Sequence, residues 1–385
     1  MKKLIRITTV PISLEKLLEG QLSYMQDYFE VTAISADEAT LTILGKENGY
    51  ATHHIPMTRQ ITPWADFKAL VKLYRYLKKE QPQIVHTHTP KAGIVGMLAA
   101  KLAGVPIRLH TVAGLPLMEA IGKKRWLLNK VEKFTYTCAT KVYPNSKGLY
   151  DFIVASGFTT VDKLAVIADG SSNGIDTQHF NPTLFTSSEN KALRARLAIA
   201  ATDFVFIFVG RLVGDKGINE LVAAFKHLRS TSVSRDCKLL LVGPFEHELD
   251  PLSPETLNTI ENTDAIISVG YQQDVRPYFA ISDALVFPSY REGFPNVVMQ
   301  AGAMGLPAIV SDINGCNEII RPNVNGLIVP SKDSDALQDA MLQFINDEVL
   351  FGSLTKQSRQ LIVSRYEQQK VWEALLEMYQ GLITH

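Results

Sequence analysis

Two cations five residues apart, Arg211 and Lys216, stand in the segment GRLVGDKGINEL at 210–221, directly after the apolar run FVFIFV. A strand that ends in a Gly-flanked loop, opened here by Gly210, and then leads into a helix is where open α/β sheets bind ligands. Arginine forks onto phosphate oxygens and lysine adds a mobile point charge, so the pair suits a diphosphate. Two solvated loop charges would show the same spacing, and the pair gains meaning from a second segment, SYREGFPNVVMQAGAMGLPAIVSD at 289–312. There the run ALVFPS ends and Glu292 follows in the loop. Gly293 lets a ligand approach the backbone closely, next to Phe294, and Pro295 suits a first helical turn, where its missing donor costs nothing. The amides of Asn296, Val297 and Val298 then open a helix, a natural anion site, and Gln300 lies further down it. A carboxylate at the loop, amides at the helix mouth and a polar side chain below suit a sugar, a diphosphate and a ribose, in that order.

Other phosphate and metal signatures are missing from the sequence. No GxGxxG follows a strand, no GxxxxGK[ST] is present, and neither HExxH nor CxxC occurs. Nicotinamide, flavin and P-loop chemistry are therefore not expected. With no DxD-type cluster beside the two loops, neither a metal nor a resident cofactor is expected. In the first half, VHTHTPKAGIVGMLAA (85–100) places His88 at a strand end and Lys91 at a helix start. Asn145 tips another strand in PNSKG, and Gly20 follows the first strand. Each of these four fits an acceptor-binding loop and fits a capped helix or a satisfied turn equally well.

The elements that must position these residues alternate along the whole chain. Strands are expected at 4–10, 30–35, 84–89, 107–112, 141–146 and 164–169, then at 204–210, 238–243, 266–271, 284–289, 308–312 and 327–330. Amphipathic helices lie between them, as in WADFKALVKLYRYLKKE (64–80), where Phe67, Leu70, Val71, Tyr74 and Leu77 recur at spacings of three and four. Strands apolar on both faces and separated by helices mean parallel sheets covered on both sides. Two such series in 385 residues mean two doubly wound α/β domains, 1–172 and 173–365, meeting at the Gly/Ser/Asn-rich stretch near 170–182. The last segment, 366–385, reads as an amphipathic helix with no sheet left to cross, and is expected to pack back on the first domain.

Composition is that of a globular protein, with 46% hydrophobic and 20% charged residues. The formal net charge of +0 gives no case for a nucleic-acid partner. It conceals a split: residues 1–172 hold 22 Lys and Arg against 14 Asp and Glu, a net of +8, and the remainder holds 17 against 25, a net of −8. The segment GKKRWLLNKVEKFTYTCATK (122–141) gathers six cations around Trp126, Leu127, Leu128 and Phe134, a pattern that suits an anionic membrane face. The start of the chain is a poor signal-peptide core, and no apolar run approaches the ~20 residues that span a bilayer. Three scattered cysteines fit a reduced cytoplasm.

The pairing of GRLVGDKG with REGFPNVVMQAGAMGLP, joined by GSSNGID at 170–176 and the D-V-R-x-Y-F turn at 274–279, resembles the retaining GT-B glycosyltransferases of family 4. It is most similar to the branch that builds capsule, O-antigen and other lipid-linked bacterial glycans. The resemblance implies two Rossmann-like domains facing across a cleft, the first for a glycan acceptor carried on a polyprenyl diphosphate, the second for a UDP-sugar donor. It implies that Arg211 and Lys216 hold the donor diphosphate, that Glu292 touches the donor sugar, and that backbone near Tyr271 and Val275 receives the base. It further implies a hexosyl or N-acetylhexosaminyl transfer with retained configuration, by an enzyme peripheral to the inner face of the cytoplasmic membrane. There are two departures. The family's second Glu, on the ribose diol, is Gln300 here, and its His–Gly pair facing the donor sugar is replaced by Ala113–Gly114, leaving His110 as the candidate catalytic histidine. A nucleotide-sugar 2-epimerase on the same fold, or a non-catalytic partner subunit, are the alternatives.

Overall fold

A computed structural model describes the chain except Ile61, Glu119, Ser232, Val233, His247, Leu249 and His385. The described residues form two compact units, Met1–Gly174 with Gln368–His385, and Ile175–Glu367.

The first unit carries a six-stranded parallel sheet of β1 (Lys2–Ile7), β2 (Phe29–Ser35), β3 (Ala51–His54), β4 (Ile84–His88), β5 (Ile107–Val112) and β6 (Lys141–Pro144). The strand order is β3-β2-β1-β4-β5-β6. The second unit repeats the plan with β7 (Phe204–Val209), β8 (Cys237–Val242), β9 (Ile266–Ser268), β10 (Ala284–Phe287), β11 (Ala308–Ser311) and β12 (Gly326–Val329), in the order β12-β11-β10-β7-β8-β9. In each sheet the order reverses between the first and fourth strands, and that switch point is where open α/β sheets bind ligands. The expected doubly wound fold is therefore present in both halves.

The helices that position or cover the candidate residues are α1 (Pro63–Glu80), α2 (Pro90–Ala103), α3 (Gly122–Cys138), α4 (Ile218–Ser230), α5 (Asn296–Ala303), α6 (Glu348–Tyr366) and α7 (Gln368–Thr384). Continuous apolar runs such as FVFIFV are buried along most of their length because helices cover both faces, with Phe204 through Phe208 fully enclosed. Phe208 and Phe287 stack at 5.8 Å beneath the second switch point.

The expectations fail at two places. The strand expected at 164–169 does not form; Leu164 makes a single bridge to Val142, and the chain then turns through Ala168 and Ser171 at φ of 49° and 67°. Such left-handed backbone cannot continue a strand. The edge strand β3 was not expected, since ATHH is short, carries two histidines and lacks an apolar run. The terminal segment 366–385 holds one helix, α7, which follows α6 after Glu367 leaves the helix with ψ of 130°. Within the first unit, α7 lies on the sheet, with Leu375, Leu376 and Tyr379 packed in one cluster with Leu4, Ile84 and Leu109.

Candidate active site

In the second unit the two loops after β7 and β10 meet at the switch point. A short turn, Gly214–Lys216, follows β7, and Gly217 at φ of 71° then starts α4. A Cβ on Gly217 would lie 2.1 Å from the Pro288 carbonyl oxygen, so glycine is required for the loop to approach the end of β10. This approach brings Lys216 Nζ onto Glu292 Oε1 in an ion pair whose side chains are 17% and 18% exposed. Ser289 Oγ also donates to that carboxylate at 3.1 Å, and the Phe287 ring lies 5.8 Å beneath the ammonium. Tyr290 N donates to Asp215 O at 2.9 Å, and the Arg291 guanidinium reaches Asp215 Oδ2 at 3.0 Å, fastening one loop to the other.

Arg211 lies on the same loop, half-exposed, with Nη1 donating to Glu246 Oε2 at 2.7 Å. Pro295 stands one residue before α5, at its cap, and not within the first turn as expected. Val298 N already donates to Pro295 O at 3.2 Å. The amides of Asn296 and Val297 have no acceptor among the described residues and open the helix to an anion. Gly293 is held from the other side: Asn314 Nδ2 donates to its carbonyl at 2.6 Å, and a Cβ on Gly315 would lie 2.5 Å from the same oxygen. Sequence reasoning missed Asn314, Gly315, Ser289 and Glu246; the Asn–Gly pair in DINGCNE was the available signal. Phe294 is buried edge-on against Tyr366 and shapes the loop from below. Gln300 is half-buried on α5, Tyr271 is 71% exposed, and Val275 is a half-buried cap residue packed on the core. Gly210 bonds to Val242 and turns the chain out of β7.

The first-unit candidates occupy two faces of their sheet. His110, on β5, lies under α2: its Nδ1 meets Thr87 Oγ1 at 2.8 Å, and a Cβ on Gly93 would strike its ring at 2.5 Å. Burial lowers its pKa to about 4, so the ring is a neutral packing element beneath a helix. His88, on the opposite face, is 1% exposed and bonds through Nε2 to Arg6 Nη2 at 2.6 Å. Lys91 is paired with Asp66. Gly20, at φ of 74°, faces the indole of Trp372, which a Cβ would meet at 2.6 Å. Asn145 is buried at the end of β6, where its backbone bonds Val112 and Ser171. The structure thus brings His88 and Asn145 to one place and leaves His110, Lys91 and Gly20 elsewhere in that unit.

Among the described residues, no group of three or more His, Cys, Asp or Glu side chains is placed to hold a metal ion.

The chain matches the family model described as glycosyl transferases group 1 over residues 189–368 and that of a glycosyl transferase 4-like domain over 24–170. It is 32% identical over 379 residues to the capsular polysaccharide biosynthesis glycosyltransferase CapM of Staphylococcus aureus, covering 98% of this chain and 97% of that protein. It is 27% identical, over 99% of this chain and 98% of the other, to the UDP-Gal:alpha-D-GlcNAc-diphosphoundecaprenol alpha-1,3-galactosyltransferase of Escherichia coli. The fold matches the solved structure of Anabaena HepE in complex with UDP and glucose, with a TM-score of 0.81, 16% identity and coverage of 99% and 100%. The architecture, the paired loops of the second sheet and these similarities agree, and the chain belongs to the GT-B glycosyltransferases that join a glycosyl transferase 4-like domain to a group 1 domain.

Proposed function

We propose that this glycosyltransferase moves a hexose or N-acetylhexosamine, with retained configuration, from a UDP-sugar to a polyprenyl-diphosphate-linked glycan in bacterial surface polysaccharide synthesis. The observation that carries the reading is the Lys216–Glu292 pair beside the open amides of Asn296 and Val297 at the second switch point. A donor diphosphate supplies what that site accepts: it takes the Lys216 ammonium and the helix amides and recruits Arg211 from Glu246. Glu292 is then released toward the sugar hydroxyls. The catalytic task is to stabilise charge on the leaving diphosphate, and fixed donors aimed at that charge do this most effectively. Retention then follows from attack on the face the leaving phosphate occupies, in place of a two-carboxylate scheme. The two cations and the helix mouth take the part a metal would otherwise play, so activity should survive EDTA.

The Escherichia coli relative, named for a diphosphoundecaprenol-linked acceptor, supports the acceptor class. A membrane face is supported by the first unit, where α3 exposes Trp126, Leu127 and Phe134 among Lys123, Lys124, Lys130 and Lys133, and α1 exposes Trp64 and Phe67. Among the described residues, no helix is long and apolar enough to cross a membrane, so contact at the inner face would be peripheral.

The test is incubation of the protein with bacterial membranes and a panel of UDP-sugars, with the extended lipid identified by mass spectrometry. Transfer with retained configuration is expected, falling by about 10²–10³-fold in Lys216→Ala or Arg211→Ala. Near-normal turnover in both variants, or free epimerised sugar with no extended lipid, would overturn the reading.

A further inference from the structure

Arg6 is the most deeply buried cation of the first unit, at 1% exposure, and it has no carboxylate partner among the described residues. It projects from β1 across the first switch point, with β4 beside it in the register Arg6↔His86. Its Nη1 donates to Tyr379 Oη of α7 and its Nη2 meets His88 Nε2 at 2.6 Å, while its Nε has no partner among the described residues. Because His88 accepts through Nε2, its neutral ring carries its proton on Nδ1, and that buried nitrogen likewise has no partner there. His86 cannot balance the charge: its two nitrogens are engaged by Tyr379 and Thr111 at 2.6 and 2.7 Å. Burial, followed by Arg6's own charge, holds both histidines well below their ordinary pKa and therefore neutral.

Three more unpartnered polar atoms converge here. Gln21 Nε2 donates to Ser172 O and Asn173 Oδ1, both at 3.0 Å, which fixes the amide and leaves Oε1 free. Asn145 Oδ1 and Ser172 Oγ are likewise without partners among the described residues. Arg6, His88, Gln21, Asn145 and Ser172 all line one cavity of about 10 Å³, and Ser172 and Ile167 on its wall are half-exposed. An isolated buried guanidinium is costly unless something compensates its charge. Five unpartnered polar atoms around one small space are far above what a folded interior leaves unsatisfied by chance.

We propose that this cavity is an oxyanion subsite that seats an oxygen of a phosphoryl group against Arg6 Nε and His88 Nδ1, with the rest of the group at the Ser172 rim. The orphan donors supply the two hydrogen bonds, and Arg6 supplies the compensating charge. Ser172 Oγ donates to a second oxygen of the group, while Gln21 Oε1 and Asn145 Oδ1, which only accept, face a protonated phosphoryl oxygen or a water that hydrates it. The phosphoryl group belongs either to a free phosphate or diphosphate or to the head of a lipid-linked glycan; only the second source rests on the function proposed above.

The experiment measures inorganic diphosphate binding by titration calorimetry in the full chain carrying Arg211→Ala and Lys216→Ala, which removes the donor-side cations. One saturable site is expected to remain. Adding Asn145→Asp supplies Arg6 with an internal carboxylate and should weaken binding at least tenfold. Ser172→Asp on the half-exposed rim should do the same, and it decides the matter if the first variant does not fold. Loss of saturable binding in the double variant, or binding unchanged by either aspartate in a folded protein, overturns the proposal. Competition by polyprenyl diphosphate in detergent micelles assigns the site to a lipid head group, and retained binding without competition assigns it to the free anion. No turnover enters this readout, so a failed transfer assay leaves it standing.

Discussion

On the function proposed above, the Lys216–Glu292 ion pair yields its cation to the donor diphosphate, and Gln300 further along α5 takes the ribose hydroxyls. An amide oxygen accepts a hydroxyl hydrogen bond without charge assistance, which is worth roughly 1 kcal/mol less than a carboxylate's. Gln300→Glu is therefore expected to lower the donor KM by about fivefold with little change in kcat; steady-state kinetics with the preferred UDP-sugar check this. A second residue-scale consequence concerns pH. Glu132 on α3 is 7% exposed, and burial pushes its carboxyl up to about 7. A carboxyl whose folded pKa is raised above its unfolded value contributes stability below the unfolded value, and that contribution is lost as pH rises through about 7. Glu132→Gln should thus raise the unfolding free energy at pH 8 by on the order of 2–3 kcal/mol, read as a higher melting temperature, and leave it nearly unchanged at pH 5. His110 works in the opposite direction. With its folded pKa lowered to about 4, its contribution is complete above its ordinary value and lost as pH falls through about 4. Thermal melts of His110→Gln against the parent from pH 7 to pH 4 should converge as acid removes the parent's advantage.

At the scale of elements, the close approach of the loops after β7 and β10 depends on one backbone position. Gly217→Ala places a Cβ 2.1 Å from the Pro288 carbonyl, in a backbone region that L side chains avoid. Gly270 has a similar φ of 68°, yet a Cβ there meets nothing within 4 Å. Gly270→Ala should cost about 1 kcal/mol, the conformational term alone, whereas Gly217→Ala should cost more than twice that and cut transfer by separating Lys216 from Glu292. Equal melting temperatures for the two variants would show that the loop contact is not tight. The same contrast explains what was legible in the sequence. All six strands of the second unit were, because FVFIFV, KLLLVG and ALVFPS are apolar on both faces and have no other use. Arg211, Lys216 and Glu292 were legible because they follow those strands directly. Asn314 and Gly315 were not, since they reach Gly293 from a different strand end and only the fold makes them neighbours. Nor was the Arg6 network: RIT in a strand reads as an ordinary exposed arginine until α7 covers it with Tyr379, 373 residues later. LAVIAD misled in the other direction, because its apolar residues anchor one bridge to the edge strand β6 before the backbone turns through Ala168 and Ser171.

For the whole molecule, the charge split separates two kinds of surface. Residues 1–172 carry the net of +8, and the exposed cations of α3 belong to it. Helices of parallel crossovers run opposite to their strands, so the N-terminal ends of α1 and α3 lie at the same end of the first sheet. That end presents Trp64 and Phe67 on one helix and Trp126 and Leu127 on the other, with Ile121, 86% exposed, leading into α3. Scattered exposed apolar residues need no explanation, but large aromatics grouped with Lys123, Lys124, Lys130 and Lys133 do. Each basic side chain near an anionic leaflet contributes about 1 kcal/mol, and aromatic rings add an apolar component that salt does not screen. The two contributions can be separated. Replacing the four lysines by glutamine should lower binding to vesicles containing anionic lipid by about 100-fold or more, and abolish its salt dependence. Trp126→Ala together with Trp64→Ala should weaken binding while leaving the salt dependence intact. Vesicle sedimentation with and without anionic lipid reads both effects. Binding by the parent that ignores lipid charge would return the +8 to chance solvation. Loss of binding only in the tryptophan variants would make the surface an apolar one and assign the lysines to solubility.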